Sequence, residues 1–292
     1  MKTVSIPVRV IGPGSQSDEP PVQVLGIDDP VQTFRMPRVP ATADAAALGE
    51  SRALLARFLD LLQAWDVTQQ AGPRLSLAGA SPAAIAMTDQ MLGEGEVSIR
   101  IDGGRPARIQ ESVFAGIWRV AELDAAGQVA AEWIEAAQLP AIVLEAAHAA
   151  ASPARSTTSL PQGVMNAPAL LHEIDSHVRD RRPGSAARVI NLTLFPLSSA
   201  DHAALEQALP VGSVAIMSRG FGNCRITSTL VRNVWRVQYF NTMNTLILNT
   251  IEIVEAPEVA LAAAEDLIDS RARLAELVAW MGDPEAAEVG GQ

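Results

Sequence analysis

Residues 74–140 recur at residues 191–257 without a gap, at a constant offset of 117. The offset lays Leu75 on Leu192, Leu77 on Leu194, Ser81 on Ser198, Gly95 on Gly212 and Ile99 on Ile216. It also lays Arg108–Ile109 on Arg225–Ile226 and Trp118–Arg119–Val120 on Trp235–Arg236–Val237. Of 67 aligned positions, 19 are identical. Apolar periodicity, turn glycines and the Trp-Arg-Val run all coincide in one register. A chain built from one unit used twice must fold each unit in much the same way. Positions that differ between the copies then become informative about function.

Each copy reads in the same order. A helix at 44–66, or Pro168–Arg179 in the second copy, precedes a strand (Arg74–Gly79, Arg188–Leu194) and a Ser-capped helix after Ser81 or Ser198. Leu54, Phe58, Leu61 and Trp65, with Leu55 and Leu62 beside them, form a helical stripe in the first of these. Four short strands follow, near 96–101, 107–112, 117–123 and 129–136, with equivalents near 213–218, 224–229, 234–240 and 246–254. Short turns between them require antiparallel pairing, because a parallel neighbour needs a long crossover. The expected fold is therefore α+β: an internally duplicated unit (helix, strand, helix, then about four mainly antiparallel strands) forming a pseudo-dimer. A C-terminal amphipathic helix, Pro257–Met281, follows, with Ala260, Ala264, Leu267, Leu274, Val278 and Met281 on one face. The segments are 1–43, an extended arm with a short strand at Val22–Leu25; 44–140, the first unit; 141–166, a mobile linker; 167–257, the second unit; and 258–292, helix and acidic tail.

Charge narrows the function classes. The net charge is −11 and the only lysine is Lys2, which argues against nucleic-acid binding. No apolar run approaches the ~20 residues of a membrane span, and the N-terminal stretch lacks a signal-peptide core, so a cytoplasmic protein is expected. No acid occurs between Glu206 and Glu252, while Arg219, Arg225, Arg232 and Arg236 all do. His148, His172, His177 and His202 lack metal-ligand spacing, and the single Cys224 rules out a cysteine cluster, so neither metal nor cofactor is expected. Ser218–Asn223 lacks the Lys-Ser/Thr of a phosphate loop and reads as a hairpin turn. Cys224 stands where the first copy has Ala107: it is either a small buried hydrophobe or, flanked by Arg219 and Arg225, an accessible thiolate. No nucleophile–base constellation is evident. The chain does not read as an enzyme.

The string SRGFGNCRITSTLVRNVWRVQYFNTMNTLILNT at 218–250 closely resembles the C-terminal region of the HupH/HyaF family of hydrogenase expression/formation proteins, whose relatives include HoxQ. LGEGEVSI at 92–99, QESVFAGIWRV at 110–120 and INLTLFPLS at 190–198 are similar to that family too. The resemblance implies an accessory chaperone for NiFe-hydrogenase that binds the iron–sulfur small-subunit precursor before export. It also implies a HyaE/HoxO-like thioredoxin-fold chaperone as a partner. The partner-binding residues expected on the 218–240 surface are Arg219, Phe221, Asn223, Cys224, Arg225, Arg232 and Arg236. Among these, Arg219 and Arg232 are the stronger candidates, since Asp102 and Ala115 stand in their places in the first copy. The alternative is an iron–sulfur or thiol-redox factor acting through Cys224.

Overall fold

The computed structural model describes residues 44–67, 72–155, 162–220 and 222–282. The expected N-terminal arm, its short strand and the acidic tail beyond Gly282 lie outside the described residues, as does Phe221.

The first half begins with α1 (Ala45–Ala64), whose N-cap Asp44 accepts from the Ala46 N–H. Leu54, Leu55, Phe58 and Leu62 are buried along it as the stripe predicts, but Leu61 is exposed. Then come β1 (Arg74–Ser76), α2 (Pro82–Leu92, capped by Ser81), β2 (Val97–Ile101), β3 (Ala107–Glu111), β4 (Ile117–Leu123) and β5 (Val129–Ala136). After α3 (Ala141–Ala150) the same order returns: α4 (Ala167–Asp180), β6 (Arg188–Asn191), α5 (Ser199–Ala208), β7 (Val211–Ser218), β8 (Asn223–Thr229), β9 (Val234–Phe240) and β10 (Leu246–Ile253). The chain ends on α6 (Ala264–Trp280).

All ten strands join one antiparallel sheet in the order β1-β5-β4-β3-β2-β7-β8-β9-β10-β6. Read from either edge, corresponding elements appear in the same order. At the centre β2 pairs with β7, and Ile99 lies opposite its own counterpart Ile216. The registers of β3 with β4 and of β8 with β9 agree residue for residue at the 117 offset. Even the irregularity between Glu122 and Leu123 has its equivalent between Leu246 and Leu248.

One stretch breaks the offset. Leu75 pairs with Ile134, whereas Ile251 pairs with Ile190 and not with Leu192. Ile190 and Leu192 are buried in the places of Leu75 and Leu77, while Leu194, aligned with Leu77, is 79% exposed. The second half carries two extra residues in the turn between Leu192 and Ser198, so the gap-free alignment fails there. The expected strand Arg188–Leu194 accordingly ends at Asn191 and passes into a 3-10 turn, Leu192–Leu194.

Side chains alternate across the sheet and give it two faces. The front face holds a core drawn from both halves, with Ile99, Ile101, Trp118 and Val120 beside Val214, Ile216, Trp235 and Val237. α3 closes it through Ile142, Val143 and Ala147. The first ten residues of the expected mobile linker are thus a core helix, held because its apolar residues fall on one side. On the back face, α1, α2 and α6 cover β1, β4 and β5, with Phe58, Met91, Ile134 and Leu274 in the core. α4 and α5 cover β6, β9 and β10, with Leu171, Leu205, Val234 and Ile251.

The C-terminal helix docks as expected but is not continuous. A 3-10 turn, Glu258–Ala260, precedes an extended Leu261–Ala263, where the Ala262 N–H donates to the Gln138 carbonyl instead of continuing the helix. Ala260 therefore belongs to the front core, and Leu274 and Val278 to the back.

Candidate functional site

On the back face, the four central strands β3, β2, β7 and β8 contribute no residue to either helix-covered core. Cross-strand partners share a face, so two rows can be read directly from the registers. One runs Arg119–Gln110–Ser98–Met217–Arg225–Gln238–Asn249. The other runs Glu132–Ala121–Arg108–Arg100–Ala215–Thr227–Arg236. Five arginines thus face one way, over strands whose opposite face is packed with isoleucine and valine. The sequence cause is plain: SIRI, ARIQ, CRIT and WRVQ each alternate an inward residue (Ile, Val, Trp, Ala or Cys) with a polar one.

At the two flanks the arginines are held by helices. Arg119 bonds to Asp89 of α2 and lies 3.7 Å from Glu132. Its counterpart Arg236 lies 3.7 Å from Glu206 of α5, the residue aligned with Asp89. These equivalent ion pairs tie a helix to the sheet in each half, which gives Arg236 a structural task. Nearer the centre, Arg100 meets Asp102 at 2.9 Å and Arg108 stands 3.9 Å from the same carboxylate. Arg225 lies over the Phe240 ring at 4.7 Å. Two polar atoms at opposite ends of one row, Arg119 Nη1 and Asn249 Oδ1, are buried without a hydrogen-bond partner.

The expected 218–240 surface is not a single patch. Asn223 and Arg225 take the back face, Cys224 between them the front. Arg219 and Asn223 stand at the hairpin joining β7 and β8, while Arg232 is exposed beyond the far end of β8. Seven residues of strand separate those ends by about 20 Å. Arg232 therefore does not join Arg219, contrary to the expectation that paired them. Residues that the sequence reading passed over, Arg100, Gln110, Met217 and Gln238, join Arg225 instead, and the alternation just described was the available signal.

Cys224 is 1% exposed, packed with Ile226 and Val237 in the front core. Burial pushes its thiol up to about 11, with a hydrogen bond to Tyr239 opposing and Glu252 adding to the rise. The accessible-thiolate premise, and with it a place for Cys224 on a partner-binding surface, is overturned: a buried thiol without a cation beside it stays protonated. Among the described residues no group of three or more His, Cys, Asp or Glu is placed to hold a metal ion. No helix among them is long and apolar enough to cross a membrane.

Comparison with known proteins identifies the scaffold. The model for the HupH hydrogenase expression protein C-terminal conserved region matches twice, over residues 48–160 and again over 164–281. This chain belongs to that family. It is 41% identical to the hydrogenase expression/formation protein HoxQ of Cupriavidus necator, over 97% of this chain and 99% of that protein. To HupH of Rhizobium leguminosarum bv. viciae it is 44% identical, over 64% of this chain and 67% of the relative. To the hydrogenase-1 operon protein HyaF of Escherichia coli it is 37% identical, over 66% and 68%. Together the two matches to the HupH family model span all the strands described above, so the back face is built by the matched regions themselves.

Proposed function

We propose that this HupH-family chain is a non-catalytic accessory protein of NiFe-hydrogenase maturation. It acts in the cytoplasm as a chaperone for the iron–sulfur small subunit before export, together with a HyaE/HoxO-like thioredoxin-fold partner. The observation that carries the reading is the match along nearly the whole chain to proteins named for hydrogenase expression and formation. The back face supports it, since it offers arginines and hydrogen-bonding side chains suited to another polypeptide. We further infer that the two halves arose by duplication and stand as a pseudo-dimer. The strand order, the paired Ile99 and Ile216 and the twofold family match support this. The iron–sulfur or thiol-redox alternative has lost its support with the burial of Cys224.

Affinity capture from cells expressing a hydrogenase operon tests the proposal. The small-subunit precursor should co-elute with this chain and should decline once the precursor is exported. Enrichment of the large subunit alone, or of no hydrogenase subunit, would overturn it.

A further inference from the structure

Positions 102 and 219 are counterparts, at the end of β2 and just past β7, and they differ in sign. In the first half Asp102 partly neutralises Arg100 and Arg108. In the second half the same three places hold Arg219, Met217 and Arg225. One half therefore presents two guanidiniums around a carboxylate, and the other presents two guanidiniums and a thioether. Arg225 is steadied by Phe240, a contact that fixes a guanidinium without cancelling its charge. The Arg219 N–H donates to the Glu96 carbonyl, which anchors the backbone at that corner. Glu96 itself lies against Gly220, where an added Cβ would meet its Oε2 at 2.0 Å.

We propose that the centre of the back face, over which no helix among the described residues packs, docks an acidic segment of a partner polypeptide, one carboxylate meeting Arg225 and a second meeting Arg108. Only the identity of that partner rests on the functional reading above. On the two strands between them lie Arg100, already paired with Asp102, and the uncharged Ser98, Met217 and buried Ala215, which suit neutral residues between the two acids. Arg108 and Arg225 are three strand spacings apart and one same-face step along the strands, about 16 Å in all. An extended segment covers that distance in about four or five residues. The flanking carboxylates Asp89, Asp102 and Glu206 would repel the continuous charge of a nucleic-acid backbone, but they leave room for two separate acids. Arg225 is half-buried, whereas Arg108 is exposed; the Arg225 pair gains more, because more water is displaced when the partner closes over it.

The test uses the full-length chain with a photo-reactive benzoylphenylalanine at Met217, or at Ser98 should the first variant melt early. It is irradiated in cells expressing a hydrogenase operon, and the adduct peptide is sequenced. The expected adduct falls in a segment bearing two Asp or Glu residues four or five apart. Arg108→Glu with Arg225→Glu should lower its yield at least about ten-fold at an unchanged melting temperature, each reversal converting an attractive pair to a repulsive one. An adduct in a segment without such acids, an adduct to a second copy of this chain, an unchanged yield in the double variant, or no adduct at either position overturns the proposal. An acidic-segment adduct on a protein other than a hydrogenase subunit supports the docking chemistry and overturns the functional reading instead.

Discussion

Glu111 is buried at the end of β3, where its Oε1 accepts the Gly116 N–H at 3.0 Å. Burial pushes its carboxyl up to about 7; the Gly116 amide opposes the rise, Glu96 adds to it and the Val97 amide opposes it. The second half shows that this charge is dispensable. Its counterpart is Ser228, whose hydroxyl accepts the Val214 N–H at 3.1 Å, and Val214 is the counterpart of Val97. A neutral acceptor thus serves the same backbone amide there. Glu111→Gln keeps the acceptor oxygen and removes the ionisation. The folded-state value is raised above the unfolded one, so the native state binds the proton more tightly. That stability is complete below about pH 4.5 and is lost as the pH rises through about 7. The shift from 4.5 to about 7 corresponds to at most about 3 kcal/mol. Urea unfolding followed by tryptophan fluorescence at about pH 5 and about pH 8.5 measures it through the linear dependence of stability on denaturant. The variant should match the wild type within about 1 kcal/mol at the lower pH and exceed it by about 2–3 kcal/mol at the higher. A variant that is less stable at both, or that keeps the wild-type pH slope, refutes the reasoning.

Other outcomes follow from the same geometry. Asp201 is fully buried and its carboxylate receives the Met165, Asn166, Ala167 and Ser198 N–H groups and the Ser198 hydroxyl. Burial pushes its carboxyl up, but those hydrogen bonds outweigh it and hold it far below the usual range. The wild type should therefore lose stability as the pH falls below about 4, and Asp201→Asn should flatten that acid limb while lowering stability at pH 7, both read by urea unfolding. Gly116 adopts φ 76, and an added Cβ would meet Leu267 Cδ2 at 2.3 Å. Gly116→Ala should cost about 1–3 kcal/mol and loosen α6, seen as faster amide exchange there. Its counterpart Asn233 holds φ 61, a conformation asparagine tolerates better than most residues. Cys224 should react with a thiol reagent only at the rate of unfolding; rapid reaction of the native chain would contradict its burial.

The repeat made most of the sheet legible, because a shared register of Trp-Arg-Val, turn glycines and Ser caps specifies the same strand order twice. It misled at β6, where identical leucines at positions 77 and 194 concealed the two extra residues of the Leu192–Ser198 turn. α3 was missed because its alanines run into a Ser/Pro segment, and only the front core shows why Ile142 and Val143 must be helical and buried. The break before α6 depends on the Gln138 carbonyl, more than a hundred residues away in the chain. For the site, alternation showed which side chains share a face. It did not reveal where the described helices pack, since that depends on α1, α2 and α6 lying over one flank and α4 and α5 over the other. Arg225 was therefore legible as a surface arginine, but its association with Arg108 and Arg100 across the central strands was not.

The most direct measurement is hydroxyl-radical footprinting of this chain with and without the purified hydrogenase small-subunit precursor. Met217, half-buried on the back face, and Met243, 80% exposed in the turn between β9 and β10, serve as built-in reporters. Protection of Met217 from oxidation, with Met243 unchanged, is the predicted result. Protection of Met243 alone, or of neither, would show that the client does not occupy the arginine-lined centre of the sheet.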